Sequence, residues 1–336
     1  MKVLFFKKII KKKNIYLGAM NNFLTNNLIS PIDRSNLIQN GLFFSDKGTN
    51  RFPIINGVPV LINDEQSVFK ISNFKDDGKS IYKLKKSFKS FIINFLVKTK
   101  PSITLNKKSK INYLKLLNDI KKKGEPKVLI VGAGEGDGSG FDSKAIQKIG
   151  EVIKTDVVLS SYVDVICDAH QLPFKKNIFD VVIIQAVLEH VADPNLCVNE
   201  IHRVLKKGGL IYAETPFMQQ VHLGRYDFTR FTHIGHKRLF NNFKELDSGP
   251  VCGPATVLAW SIKYFVRCFF KPSFAQFFTE WITTFFYFWI KYFDYILINK
   301  PGAYDASSGY FFYGEKADKK IPDDEIIEFY KGMINL

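Results

Sequence analysis

The chain has 336 residues, a formal net charge of +16, 46% hydrophobic and 15% aromatic residues. That apolar content can build a sizeable core and excludes wholesale disorder, and the length suits one full α/β domain with additions. The four cysteines (Cys167, Cys197, Cys252 and Cys268) include no C-x-x-C pair, which argues against a disulfide framework or a thiolate zinc site and suits a reducing cytoplasm. The positive balance has two readings. One is a compositional bias toward Lys, Asn, Ile and Phe; the other is an anionic partner, either a membrane surface or nucleic acid.

Residues 1–24 read as a basic leader in which Lys7, Lys8 and Lys11 to Lys13 break any apolar run, making a poor secretory signal. Residues 25–66 form a small segment with turn signals at Ser30-Pro31, Asn40-Gly41 and Asn56-Gly57. The last lies between two β-like runs and predicts a hairpin, with Pro53 and Pro59 confining it to a sheet edge. So small a unit must lean on something else. Residues 67–124 are a Lys-rich connector. Ile81, Leu84, Phe88, Phe91, Ile92 and Phe95 recur at helical spacing with Lys83, Lys86 and Lys89 between them. Such a helix packs on the next domain or faces an anionic surface.

From residue 125 to 318 strands and helices alternate. Buried strands are predicted at Lys127–Val131, Glu151–Asp156, 163–167, 179–184 and 210–214, with a helix at 195–206 stopped by Gly208-Gly209. The alternation implies a parallel sheet with right-handed crossovers. The first strand runs into glycines at 132, 134, 136, 138 and 140. A glycine turn between strand and helix lets backbone approach a ligand closely. Asp156 ends the second strand, where a carboxylate suits ribose hydroxyls, and Asp168-Ala169 ends the third. Gln185 closes the fourth. Carboxyl ends of parallel strands are where open α/β sheets bind ligands.

The run Cys167-Asp168-Ala169-His170-Gln171-Leu172-Pro173-Phe174, then Phe179-Asp180-Val181-Val182, Leu188-Glu189-His190-Val191 and Arg203-Val204-Leu205-Lys206-Lys207-Gly208-Gly209 resembles the class I S-adenosylmethionine-dependent methyltransferases, closest to the type 11 branch. The resemblance spans residues 127 to 217. It implies S-adenosyl-L-methionine as cofactor, with Gly132, Ala133, Gly134 and Gly136 at its methionine end, Asp156 at the ribose, and Asp168 with Ala169 at the adenine. Many members carry an acidic residue where Ile130 stands, so backbone carbonyls or Gln185 are left to hold the ammonium group. More faintly, Leu28-Ile29-Ser30-Pro31-Ile32-Asp33 with 54–61 resembles the zinc-ribbon-like domain of tRNA-methyltransferase activator subunits. The cysteines that domain needs near Ser30 and Asp33 are absent, so the segment is expected to be metal-free; no metal site is expected elsewhere.

Past the fifth strand, 219–233 mixes His, Tyr, Asp and Arg where such a fold keeps its substrate loop. His222, Asp227 and His233, with His190 at the fourth strand's end, are the candidates for a general base. Asp227 and Arg230 could instead form an ion pair capping a helix at 235–242. Two closing strands, at 243–247 and Gly309–Lys316, are expected as an antiparallel pair. Between them, 253–300 reads as a helical hairpin with Lys263, Arg267 and Lys271 as a cationic stripe among Trp260, Tyr264, Phe265 and Phe269. Its charge-free runs are too short to span a bilayer. It either packs on protein, a second copy of the chain included, or lies in a membrane interface. Residues 319–336 are a tail.

The expected architecture is a doubly wound Rossmann-like α/β sheet of seven strands, with a small N-terminal β-hairpin domain and an aromatic helical insert before the last strand. The expected protein is a cytoplasmic methyltransferase bound peripherally to an anionic membrane. It would act, at oxygen, on a lipid-linked or cell-surface glycan-type acceptor. Lipid or quinone methylation is the alternative, ahead of RNA methylation or a catalytically inactive membrane scaffold.

Overall fold

The computed structural model describes residues 21–74, 100–134, 143–271 and 274–333, in two compact units. The helix expected from the spacing of Ile81 to Phe95 lies outside the described residues.

The first unit contains residues 21–74, 119–134, 143–184 and 193–210. Its strands are β1 (Ile38–Asn40), β2 (Phe43–Ser45), β3 (Arg51–Ile55), β4 (Val58–Leu61), β5 (Lys127–Val131), β6 (Glu151–Asp156), β7 (Val165–Cys167) and β8 (Phe179–Gln185), with β9 (Leu205–Pro216) beginning here and ending in the second unit. They lie in the order β1-β2-β3-β4-β7-β6-β5-β8. β5 pairs parallel with both β6 and β8, and β6 with β7. Val128, Leu129, Ile130 and Val131 are all buried. Such continuous apolar runs are what a parallel strand covered on both faces requires.

The hairpin at Asn56-Gly57 forms with both residues at positive φ, and Ile55 pairs with Val58. It is not an edge as the prolines suggested. β4 continues parallel to β7 through Val60 opposite Ile166 and Leu61 opposite Cys167. Pro59 is tolerated because that pairing starts one residue after it, where the missing N–H is not needed. Side chains fasten the segment further. Arg34 and Arg203 both reach the buried Glu200 carboxylate, at 2.9 and 2.8 Å. Where thiolates are lacking, Ser30 donates to Asp46 at 3.2 Å, and Asp46 accepts from Asn50 at 2.7 Å and from Gly48 N–H at 2.9 Å.

The helix expected at 195–206 is Pro194–Val204, with Asp193 as its N-cap. The glycines do not stop it. Asn177 and Ile178 N–H groups take the carbonyls of Arg203 and Val204, and Leu205 turns extended. Gly208 and Gly209 therefore fall inside β9, which starts five residues earlier than expected.

The second unit contains residues 100–118, 185–192, 211–271 and 274–333. Its strand order is β9-β11-β10, where β10 is Phe243–Cys252 and β11 is Gly309–Lys316. The latter two pair antiparallel from Phe243 opposite Lys316 to Cys252 opposite Gly309, as expected. Tyr212, Tyr310, Phe311, Phe240 and Phe243 fill this core. The helix expected at 235–242 is His233–Leu239. Thr232, not the Asp227–Arg230 pair, caps it by accepting from Gly235 N–H at 3.1 Å.

The insert forms helices Pro254–Arg267 and Phe274–Tyr287, then a 3-10 turn Phe288–Phe293. The cationic stripe is not wholly free, because opposite charge and aromatic faces lie within reach on the same hairpin. Arg267 lies 3.4 Å from Glu280, and Lys263 sits 4.7 Å over the Tyr264 ring, while Lys271 is exposed. Among the described residues no helix is long and apolar enough to cross a membrane. Gly253 leaves the first helix without a side-chain cap of its own. The buried Asp294 supplies one, accepting from Ala255 and Thr256 N–H at 2.9 Å each. A Cβ on Gly253 would fall on that carboxylate. Replacing Asp294 with Ala orphans two buried N–H groups and should cost about 1–3 kcal/mol, read as a lower denaturant midpoint. An unchanged midpoint would show that the cap is dispensable.

Candidate active site

In the first unit the functional edge begins where β5 ends. Gly132 and Gly134 have φ of 75° and 72°, conformations that cost a side-chain-bearing residue roughly 1–2 kcal/mol. The turn is fastened to β6. Gly132 and Ala133 N–H groups donate to Thr155 O at 2.8 and 3.0 Å, and Gly134 N–H donates to Asp156 Oδ2 at 2.6 Å. Asp156 Oδ1 accepts from Val158 N–H at 3.0 Å. Gly136 lies outside the described residues. Asp156 thus holds the turn's shape as well as standing at the end of β6.

Asp168, 5% exposed, caps the short turn Ala169–Gln171. Its oxygens accept from His170 N–H at 3.0 Å, His170 Nδ1 at 2.5 Å and the Ser67 hydroxyl. Burial alone would raise this carboxyl, but those bonds bring it below its ordinary value. His170 Nε2 in turn accepts from Asp193 N–H at 3.0 Å. The bridge Ser67–Asp168–His170–Asp193 was not legible in the sequence, since its members come from three separate segments. An adenine amino group would therefore share Asp168 with bonds already made, within a carboxylate's four acceptor sites.

In the second unit Gln185 Nε2 donates to Glu214 Oε2 at 2.9 Å, while its Oε1 is buried without a partner. Burial raises Glu214, and the Tyr212 hydroxyl donates to it at 2.5 Å. Ala186, at φ 52°, donates its N–H to Glu214 O and turns the chain out of β8.

Three of the four base candidates come together after that turn. His190 Nε2 and His222 Nε2 lie 3.0 Å apart. Asp227 Oδ2 accepts from His222 N–H at 2.7 Å, and both of its oxygens meet the Arg230 guanidinium. Arg230 also donates to the carbonyls of Gln219 and Gln220, so one guanidinium holds the loop closed. Although burial opposes it, Arg230 and the His222 N–H keep the Asp227 carboxyl at about 2. The Glu189 carboxylate, 3.6 Å away, draws His222 above its ordinary value against burial. Glu189, which no sequence argument singled out as functional, is fully buried beside both rings.

His233 is not part of this group. It sits in helix His233–Leu239, 4.7 Å from Tyr304 and 5.5 Å from Tyr310 by ring centroids. Burial pushes it down to about 4 and its neighbour His236 to about 3. A neutral, apolar-packed imidazole with no polar partner is core material.

Residues 135–213 match the family described as a methyltransferase domain. The chain is 34% identical over 126 residues to the ubiquinone/menaquinone biosynthesis C-methyltransferase UbiE of Neisseria meningitidis, covering 33% of this chain and 51% of that protein. UbiE of Burkholderia vietnamiensis is 34% identical over 99 residues, 25% of this chain and 41% of that one. The chain thus spans about half the length, or less, of these curated relatives. Among solved structures it is similar to the [4+2]-cyclase SpnF (TM-score 0.39, 15% identity, 67% of this chain and 92% of that one). It is similar too to Haemonchus contortus phosphoethanolamine N-methyltransferase 2 in complex with S-adenosyl-L-methionine (TM-score 0.38, 17% identity, 61% and 53%). The matched segment is thus similar to a methyltransferase domain, over the same stretch in which the motifs resemble one.

The two buried histidines set an acid sensitivity. Unfolded, each binds a proton below its ordinary value near 6.5; folded, they resist until about 4 and about 3. Their contribution is complete above about pH 6.5 and is lost as pH falls, by up to about 1.4 kcal/mol per pH unit for each. His236→Phe should flatten the fall in Tm between pH 6.5 and 4.5. An equal slope in both proteins would mean that His236 is charged in the fold.

Proposed function

We propose that the chain transfers a methyl group from S-adenosyl-L-methionine to an amphiphilic acceptor of the lipid or quinone class, while held at an anionic membrane surface. The observation that carries the methyl transfer is the left-handed glycine turn closed on Asp156 at the edge of the segment matching the family. Gly132, Ala133 and Gly134 offer backbone to the methionine end, Asp156 takes the ribose, and Asp168 with Ala169 takes the adenine. The bound cofactor supplies an electrophilic methyl on a sulfonium, which reacts by in-line displacement, so the chain's task is mainly to position the acceptor. Of the three gathered side chains, His190 and His222 are the proton acceptors on this reading, and Asp227, held ionised by Arg230, positions His222 through its backbone N–H.

The acceptor class is supported from two sides. The curated relatives named above are quinone-pathway C-methyltransferases. The insert, in the same unit as the histidine cluster, exposes an unusual aromatic surface: Phe269 is 71% exposed, Phe265 66% and Phe286 64%, joined by Trp289, Phe293 and Ile296. Aromatics beside exposed cations suit an interface between water and lipid. Nothing supports the glycan end of the expected acceptor.

Calorimetry with S-adenosyl-L-methionine should give one site, and Asp156→Ala should weaken it at least tenfold; equal affinity in the variant would mean that the crevice is misassigned. Sedimentation with vesicles containing phosphatidylglycerol should carry down the wild type and much less of Phe265→Ser/Phe269→Ser. Equal partitioning of the two proteins would sink the membrane reading, and tight RNA binding with a steep salt dependence would replace it.

A further inference from the structure

Glu189 has a relative exposure of 0%, and neither of its carboxylate oxygens accepts a hydrogen bond. A buried carboxylate in that state is costly unless a cation faces it. Two imidazole nitrogens face it. Glu189 Oε1 lies 3.7 Å from His190 Nε2 and 3.6 Å from His222 Nε2, and the nitrogens are 3.0 Å from each other.

The far side of the first ring fixes what its facing nitrogen presents. His190 Nδ1 is 2.9 Å from Tyr226 O, a carbonyl that only accepts, so the proton sits on Nδ1 and Nε2 carries a lone pair. His222 Nδ1 lies 3.5 Å from Asp227 Oδ2 and makes no hydrogen bond, so the second ring has no such partner on its far side. An ion that displaces the proton of His222 Nε2 would meet two lone pairs and a negative oxygen on one spot.

We infer that Glu189, His190 and His222 bind a divalent transition-metal ion through one carboxylate oxygen and two imidazole nitrogens. The point equidistant from the three atoms lies about 2.0 Å from each, which is the bond length zinc makes to nitrogen and oxygen. Two imidazoles select zinc, cobalt, nickel or iron over magnesium or calcium. One outer partner is that of a metal site: His190 directs its other nitrogen at the Tyr226 carbonyl, while His222 Nδ1 lies 3.5 Å from the Asp227 carboxylate without a hydrogen bond. Asp227 is itself locked by Arg230. Three protein ligands leave a coordination position open for water or an acceptor oxygen, whose proton the ion would make acidic enough to pass to solvent, the two imidazole lone pairs then being taken up by the ion. That use rests on the methyl-transfer reading. The site itself does not.

The test is titration of the chelator-treated full chain with Co²⁺. One equivalent should bind and develop visible d–d bands, with paramagnetic broadening of two histidine ring resonances, and one equivalent of Zn²⁺ should abolish the bands. Glu189→Gln and His222→Ala should each weaken Co²⁺ at least tenfold, Asp227→Asn by about 10- to 100-fold, and His202→Ala not at all. Absence of bands in the wild type would overturn the site, as would bands that survive in folded His190→Ala/His222→Ala. Should those variants fail to fold, the wild-type stoichiometry and ring broadening still decide. Methyl transfer unaffected by chelation, with Co²⁺ binding intact, would remove the ion's role in the reaction and leave the site standing.

Discussion

Everything at the functional edge of the first unit depends on the register of its parallel strands. Once β5, β6 and β7 run side by side in one direction, their carboxyl ends stop together. Gly132 and Asp168 follow their strands and Asp156 ends its own, each bonded into the turn beyond. The glycine turn is a second-order consequence of this: Thr155 O can take two of its N–H groups only because β6 ends opposite Val131. A shift of one strand by one residue would turn Asp156 to the other face of the sheet.

The same economy appears in how small pieces gain stability. The N-terminal segment is too small to fold alone and solves this by becoming a parallel strand beside β7, pinned by Glu200 between two arginines. The Ser30–Asp46–Asn50 bonds hold the loop of this segment together. In the second unit Glu189, His190 and His222 are the residues whose ligand atoms come close together.

The strands were largely legible because each is a run of apolar residues bounded by Gly, Asp or Pro. Boundaries failed where long-range bonds intervened. Gly208-Gly209 carries the usual helix-stop signal, yet the helix ends at Val204 because the residues before β8 capture its last carbonyls. Asp227 and Arg230 read as an ion pair and are one, but Thr232 makes the cap. His233 looked as polar as His222; burial among tyrosines sets it apart, and burial is not written in local pattern.

The sequence by itself determined the alternating strand-and-helix domain type and the positions of the glycine turn and the strand-end aspartates, because strand ends and glycine turns are encoded within a few neighbouring positions. Only the tertiary structure decided the partners of the side chains. It committed Asp168 to Ser67 and His170, sank His233 in the core, and brought His222 across 32 positions to meet Glu189 and His190. The physical reason is range. Backbone conformation answers to adjacent residues, whereas the burial and pairing of a charge depend on chain segments that folding brings together.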